Sequence, residues 1–293
     1  MMLKKYYIAD STFYITHACN LTCHNCETYN NRKFKGHYTW AKYEKDYEAW
    51  SHLVDLGIVN IHGGEPFTNP DLYNWAIGLK RLWPNSKDYT ISTNGSILNK
   101  KSDLVKDLVL AGWRLDISVH DPVTFEYIKN NFIKILEDIN ISVKLDQGKE
   151  DGEIVVFDES NSKCLATILP QYYFLKNSTK YIKQGKIYMH RSDVEKAHHL
   201  CQHYDNMPPC RWFVAGHLFK CHLTAISNDL INQFTIEEDA VELLKKYKPA
   251  SAYESSEYLE KFFQDLDKPL AQCTLCPEKS TLFPIYPLSS KKK

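Results

Sequence analysis

The chain lacks an excess of charge of either sign. Its 293 residues carry 36 Lys and Arg against 36 Asp and Glu, a formal net charge of zero. A nucleic-acid partner calls for a basic stripe, and the sequence has none. No apolar run approaches the ~18 residues of a membrane span. Lys4 and Lys5 are followed by no apolar segment before Asp10 and Ser11, so the start does not read as a secretory leader. Internal repeats and low-complexity segments are also missing. These absences predict a cytoplasmic globular protein with neither a membrane nor a nucleic-acid partner, and Lys291, Lys292 and Lys293 read as a solvated tail. At 43% hydrophobic and 25% charged, the chain is ordinary for its class and long enough to bury a core without disulfides.

Cysteine is the residue in excess. In a cytoplasmic chain nine cysteines point to metal ligation or catalysis rather than disulfides. Cys19, Cys23 and Cys26 form one group, and Cys201, Cys210, Cys221, Cys273 and Cys276 another. Cys164 stands alone and reads as a small buried hydrophobe.

Around the first group the pattern alternates strand and helix. Strands are expected at Phe13–His17, Ile58–Ile61, Tyr89–Thr93, Leu115–Val119 and Ile141–Leu145. Helices are expected at about Thr39–Leu56, from Pro70 through Leu79, Ser102–Leu110 and Val123–Glu137. Such alternation predicts an α/β fold with a parallel sheet, and function gathers where parallel strands end. Those ends carry Cys19, Gly63 to Pro66, Asn94, and Ser118 with His120. Ile154–Phe157 and Cys164–Leu169 suggest a hairpin, and Ile187–His190 a last barrel strand. Beyond Ser192, a capping box of Ser192 and Glu195 predicts a helix into Cys201. A hairpin around Gly216 precedes Cys221, and Thr235 with Glu238 caps a further helix.

The first cysteines are spaced C-x3-C-x2-C. Three thiolates can hold three corners of a cubane and leave one iron open for a small molecule. A zinc site completed by His17 or His24 is the competing reading of the cysteines alone. Gly63-Gly64-Glu65-Pro66 follows the second strand. Spacing, strand context and this segment together resemble the radical S-adenosylmethionine (SAM) superfamily. The resemblance implies a partial (β/α)6 TIM-like barrel, a SAM-binding [4Fe–4S] cluster on Cys19, Cys23 and Cys26, and SAM itself as cofactor. It also implies that Gly63, Gly64, Glu65 and Pro66 hold the methionine amino group, with Glu65 accepting from the ammonium. Asn94, Ser118 and His120 are similar to positions that meet the ribose or carboxylate. Where the family often has an aromatic before its third cysteine, this chain has Asn25; adenine is then left to backbone contacts or to His24.

Cys201 or Cys210, then Gly216 and Cys221, then Cys273-x2-Cys276 resemble the twitch region, a shorter relative of the SPASM domain. That implies an auxiliary [4Fe–4S] cluster in a small C-terminal subdomain, residues 192–293, behind a barrel of residues 1–191. Five cysteines compete for four places, and spacing leaves Cys201 and Cys210 equal. Zinc on His198, His199, His203, His217 or His222 is the alternative. By resemblance, the expected function is reductive cleavage of SAM and hydrogen abstraction from a small or sugar-like substrate, as in an aminocyclitol dehydrogenase or a molybdenum-cofactor cyclase. Electrons would come from a flavodoxin or ferredoxin. A peptide-modifying maturase is the runner-up, since Cys19 leaves little room before it for a peptide-recognition domain. A non-catalytic iron–sulfur or zinc protein is the alternative of another class.

Overall fold

In a computed structural model, residues 5–30, 35–174, 178–202 and 210–285 are described; His203 and the terminal lysines lie outside them. The chain begins β1 (Tyr6–Tyr14), α1 (Trp40–Leu53), β2 (Val54–His62), α2 (Leu72–Leu82), β3 (Asp88–Thr93), α3 (Ser102–Leu110), β4 (Arg114–Val119) and α4 (Phe125–Glu137). It continues with β5 (Val143–Gln147), β6 (Ile154–Asp158), β7 (Cys164–Pro170), β8 (Tyr173–Phe174), β9 (Thr179–Lys183) and β10 (Lys186–Met189). Then come α5 (Val194–Gln202), β11 (Cys210–Val214), β12 (His217–Phe219), α6 (His222–Ala225), α7 (Ser227–Gln233), β13 (Thr235–Ile236) and α8 (Glu238–Lys245). The last elements are β14 (Ala250–Ser251), α9 (Ser256–Gln264) and β15 (Phe283–Pro284).

Ten strands form one sheet in the order β14-β12-β11-β1-β2-β3-β4-β7-β6-β5. The six strands from β11 to β7 run parallel, and antiparallel hairpins extend the sheet on both sides. Among the described residues no pairing joins β14 to β5, so this α/β sheet is open rather than a closed barrel. No helix of the described residues is long and apolar enough to cross a membrane.

Three strand assignments change. The first strand, expected at Phe13–His17, is β1 at Tyr6–Tyr14. The segment expected as the fifth barrel strand, Ile141–Leu145, belongs to the outer hairpin strand β5; the fifth parallel place is taken by β7. The expected last barrel strand, Ile187–His190, falls on β10 in a separate sheet β13-β10-β9, and the sixth parallel place goes to β11. Burial explains the choice. Parallel strands are covered on both faces, and Arg211 to Val214 are buried throughout, whereas β9 is mostly exposed. The expected capping boxes also shift. Asp193, not Ser192, accepts from the Lys196 N–H (2.9 Å) at the head of α5, and Thr235 lies in β13 rather than capping α8.

Alternation along the strands separates two environments. Phe13, Ile61, Ile91 and Ile117 point outward into the helix-covered core with Tyr47, Trp50 and Trp75. Phe13 and Phe213, register partners on β1 and β11, stack with centroids 4.8 Å apart. Each such ring buried stabilises the fold by roughly 1.5–3 kcal/mol. The inner face is polar instead. Thr90 and Ser92 donate to Asn60 Oδ1 (3.0 and 3.1 Å), and Asn60 Nδ2 donates to Thr12 (3.4 Å). Thr167 donates to Asp116 (2.6 Å), which Arg114 also pairs.

Candidate functional site

The cysteine loop after β1 is stitched to the glycine segment after β2. The Ile15 N–H donates to the His62 carbonyl (2.9 Å), Gly64 to Thr16 (2.8 Å) and Glu65 to Ala18 (2.8 Å). A Cβ on Gly64 would collide with the Ala18 carbonyl and the Cys19 Cβ, so this close approach requires glycine. Asn94, at the end of β3, spans the loop from the other side: its amide donates to Asn20 Oδ1 (3.0 Å) and lies 3.9 Å from Cys19 Sγ. Asn25 has φ 57°, a left-handed conformation that Asn adopts more readily than most residues. That backbone accounts locally for Asn at this position.

Glu65 is held within the fold. Its carboxylate is fully buried and accepts from Phe67 N–H (3.1 Å), Thr93 Oγ1 (2.8 Å) and Asn94 N–H (2.8 Å). It therefore ties the ends of β2 and β3 together; Pro66 is buried at the start of a 3-10 turn, Pro66–Thr68. Burial pushes the Glu65 carboxyl up to about 7, outweighing the three donors. Because the folded-state value lies above the ordinary ~4.3, its contribution is full below that value and is lost as pH rises to about 7. Glu65→Gln places an amide N–H2 against donors and is expected to lower stability by roughly 1–3 kcal/mol. Urea unfolding tests both points. The advantage of the parent over Glu65→Gln should shrink between about pH 5 and pH 8.

All eight cysteines of the two predicted groups line one cavity of about 360 Å³, together with Gly63, Gly64, Asn94, Ser118 and His120. His120 points Nδ1 at the Gln171 carbonyl (3.1 Å), and burial lowers its pKa, leaving a neutral ring. Three further lining residues escaped sequence reading. His62, just before the glycines, sits 5.5 Å from the Trp212 ring, and its buried Nδ1 has no partner among the described residues. Burial lowers its pKa to about 4, so this ring is neutral too. Asp10 and Ser92 complete the polar floor. Asp10 is raised by burial and by Asp116, although Cys210 hydrogen-bonds to it. The alternation of inner-face positions was the signal available for all three.

The five cysteines of the second group separate. Cys201 lies on α5, Cys221 follows β12, Cys273 sits within a 3-10 turn, Ala271–Leu275, and Cys276 follows that turn. Burial and the nearby Cys201 push the Cys221 thiol up. Cys273 is pushed up to about 11 by burial, with Cys221 and Cys201 adding to it. Cys201 and Cys276 share a small crevice, and Cys221 and Cys276 pack on one apolar cluster. Cys210 is held elsewhere. It sits in register with Asp10, its sulfur 2.8 Å from Thr12 Oγ1, and its thiol is raised by burial and by Asp10 rather than by another cysteine. The structure therefore groups Cys201, not Cys210, with Cys221, Cys273 and Cys276. Beside Cys210, Arg211 is buried, paired with Asp267, and donates to the Lys220 carbonyl (3.1 Å).

Among the described residues no three Cys, His, Asp or Glu side chains close around a point suited to a single metal ion. A cubane is a four-iron body whose thiolates stand around a core rather than an ion. Cys19, Cys23 and Cys26 line this cavity together with Cys201, Cys221, Cys273 and Cys276.

A family profile described as the radical SAM superfamily matches residues 13–139. The chain is 29% identical over 135 residues to a GTP 3′,8-cyclase of Petrotoga mobilis, covering 45% of this chain and 42% of that protein. It is 29% identical over 150 residues to the antilisterial bacteriocin subtilosin biosynthesis protein AlbA of Bacillus subtilis, covering 46% of this chain and 32% of that one. The chain thus spans less than half the length of these curated relatives. Among solved structures, BtrN in complex with AdoMet and 2-DOIA is matched over 95% of this chain and 100% of that chain, at 15% identity and a TM-score of 0.48.

Proposed function

We propose, for a chain whose residues 13–139 match the radical SAM superfamily profile, that it is a cytoplasmic enzyme oxidising a small, hydroxyl-bearing substrate by SAM-derived radical chemistry. The carrying observation is the single cavity in which both cysteine groups face a polar floor. A [4Fe–4S] cluster with an open iron, when bound, supplies the electron that cleaves SAM to 5′-deoxyadenosine's radical, the agent of hydrogen abstraction.

The remaining roles fall to the chain. Cys19, Cys23 and Cys26 hold three corners. The Gly63–Gly64 backbone, with Asn94, Ser118 and His120, holds SAM from the strand ends. Residues 192–293 would supply Cys201, Cys221, Cys273 and Cys276 to hold an auxiliary cluster, which would provide an electron-accepting centre for a two-electron oxidation. They also contribute β11 to the main sheet. Neutral His62, Ser92 and Asp10 face the substrate without imposing a fixed positive charge. Asp10, raised toward neutrality, is suited to accept the proton released as a carbinol becomes a carbonyl.

Isotope transfer tests this reading. Reconstituted protein is given SAM, reductant and separate pools of carbon-deuterated polyols, amino sugars, nucleotides and peptides. Deuterium is expected in 5′-deoxyadenosine from the polyol or amino-sugar pool. Transfer from the peptide pool alone would replace this reading with the maturase one.

A further inference from the structure

The β9–β10 hairpin carries an unusual outer face. Lys183 stands directly opposite Lys186, and Tyr181 opposite Tyr188, in antiparallel register. The two tyrosine rings stack with centroids 4.6 Å apart, and Lys186 Nζ lies 5.8 Å from the Tyr188 centroid. Ile187 and Met189 point the other way and are buried, while Lys180, Tyr181 and Lys183 are exposed. Like charges directly across a strand pair are destabilising. Among the described residues none of Lys180, Lys183 and Lys186 has an ion-pair partner; the nearby acids Glu237 and Asp239 are taken by Arg191. The hairpin thus retains a like-charge cost that no ion pair among the described residues offsets, at the β9 edge of its sheet.

The root of the hairpin connects this face to both cysteine groups. Buried Tyr29 shares hydrogen bonds with Ser178 (2.8 Å) and Thr179 (2.7 Å), and its N–H donates to the Cys26 carbonyl (3.1 Å). Ser178 also lines the crevice that holds Cys201 and Cys276. On the other side, Ile187 and Met189 pack in the apolar cluster against which Cys221 and Cys276 lie.

We propose that this lysine–tyrosine face is the docking surface for a small acidic electron-donor protein. The proposal rests on the SAM-cleavage reading, which requires electrons from outside. One electron leaves the donor's reduced flavin and enters the cluster on Cys19, Cys23 and Cys26; docking itself makes and breaks no covalent bond. Charge complementarity selects the partner. Uncompensated lysines steer an acidic surface, and stacked tyrosines supply the apolar contact common at interface centres. A nucleic acid is disfavoured by the neutral chain and by the small size of the patch.

The test uses the full reconstituted chain and a reduced bacterial flavodoxin, with flavin oxidation followed by stopped flow. Lys180→Gln/Lys183→Gln/Lys186→Gln is expected to slow second-order oxidation about 10-fold at low salt. Lys183→Glu/Lys186→Glu should slow it further, and the differences should collapse near ~0.5 M salt. The neutral variant should keep or raise thermal stability, because a like-charge pair is removed. Dithionite-driven 5′-deoxyadenosine formation should be unchanged. Equal flavin-oxidation rates in parent and variants at low salt would overturn the proposal, as would a parent that takes no electron from flavodoxin. A loss of RNA or acidic-peptide binding with oxidation rates unchanged would also overturn it. Flavin oxidation is read whether or not SAM is cleaved, so failure of docking and failure of the SAM-cleavage reading are distinguishable.

Discussion

Replacing Cys19, Cys23 and Cys26 together by Ala will abolish 5′-deoxyadenosine formation while leaving roughly four of about eight irons bound. These cysteines sit on a loop fixed by β1, by the glycine pair after β2 and by Asn94 after β3. No other cysteine is part of that loop. The second group is carried by α5, the segment after β12 and the turn at Ala271–Leu275, and packs around a different apolar cluster. Loss of the first set should therefore leave the second intact. Iron and sulfide analysis with electron paramagnetic resonance of the reduced variant reads the outcome. One remaining cubane signal, unshifted by SAM, is expected; loss of all iron would mean that the two groups form one interdependent site.

Cys201→Ala will remove about half the iron, and Cys210→Ala will leave all of it. Sequence spacing gives the two equal claims. The structure separates them through the register of β11 against β1, which places Cys210 beside Asp10 and Thr12 on the cavity floor. Burial raises the Cys221 and Cys273 thiols; Cys201 adds to the rise at both, and Cys221 adds to it at Cys273, as nearby thiols do. Iron retention in Cys201→Ala with loss in Cys210→Ala would reverse the assignment. Cys210→Ala also removes the partner that holds the Asp10 carboxyl down. Its effect should fall on substrate oxidation and its pH profile rather than on iron content.

Much of the parallel sheet was legible because its signals are local. Helix α3 has the limits that Ser102 and Gly112 suggest, and the glycine pair follows β2 as the motif implies. The strands beyond α4 were harder to place, since partners far apart in sequence are chosen by burial rather than by propensity. β10 has a strand-like sequence yet joins a small separate sheet, whereas β11, whose Cys210 lies 200 positions after its register partner Asp10, completes the parallel set. The site divides in the same way. The cysteines and glycines were visible by spacing. The inward roles of Asp10, His62 and Ser92 needed strand register, as did the three donors, backbone and side chain, that the fold gathers on Glu65.

The central claim is SAM cleavage at the first cysteine loop, and one assay tests it most directly. The protein is reconstituted anaerobically with iron and sulfide, reduced, and supplied with SAM, and 5′-deoxyadenosine is quantified. The account predicts 5′-deoxyadenosine in the loaded parent and none in the Cys19→Ala/Cys23→Ala/Cys26→Ala variant. A parent with its clusters loaded and reduced that forms none would contradict it.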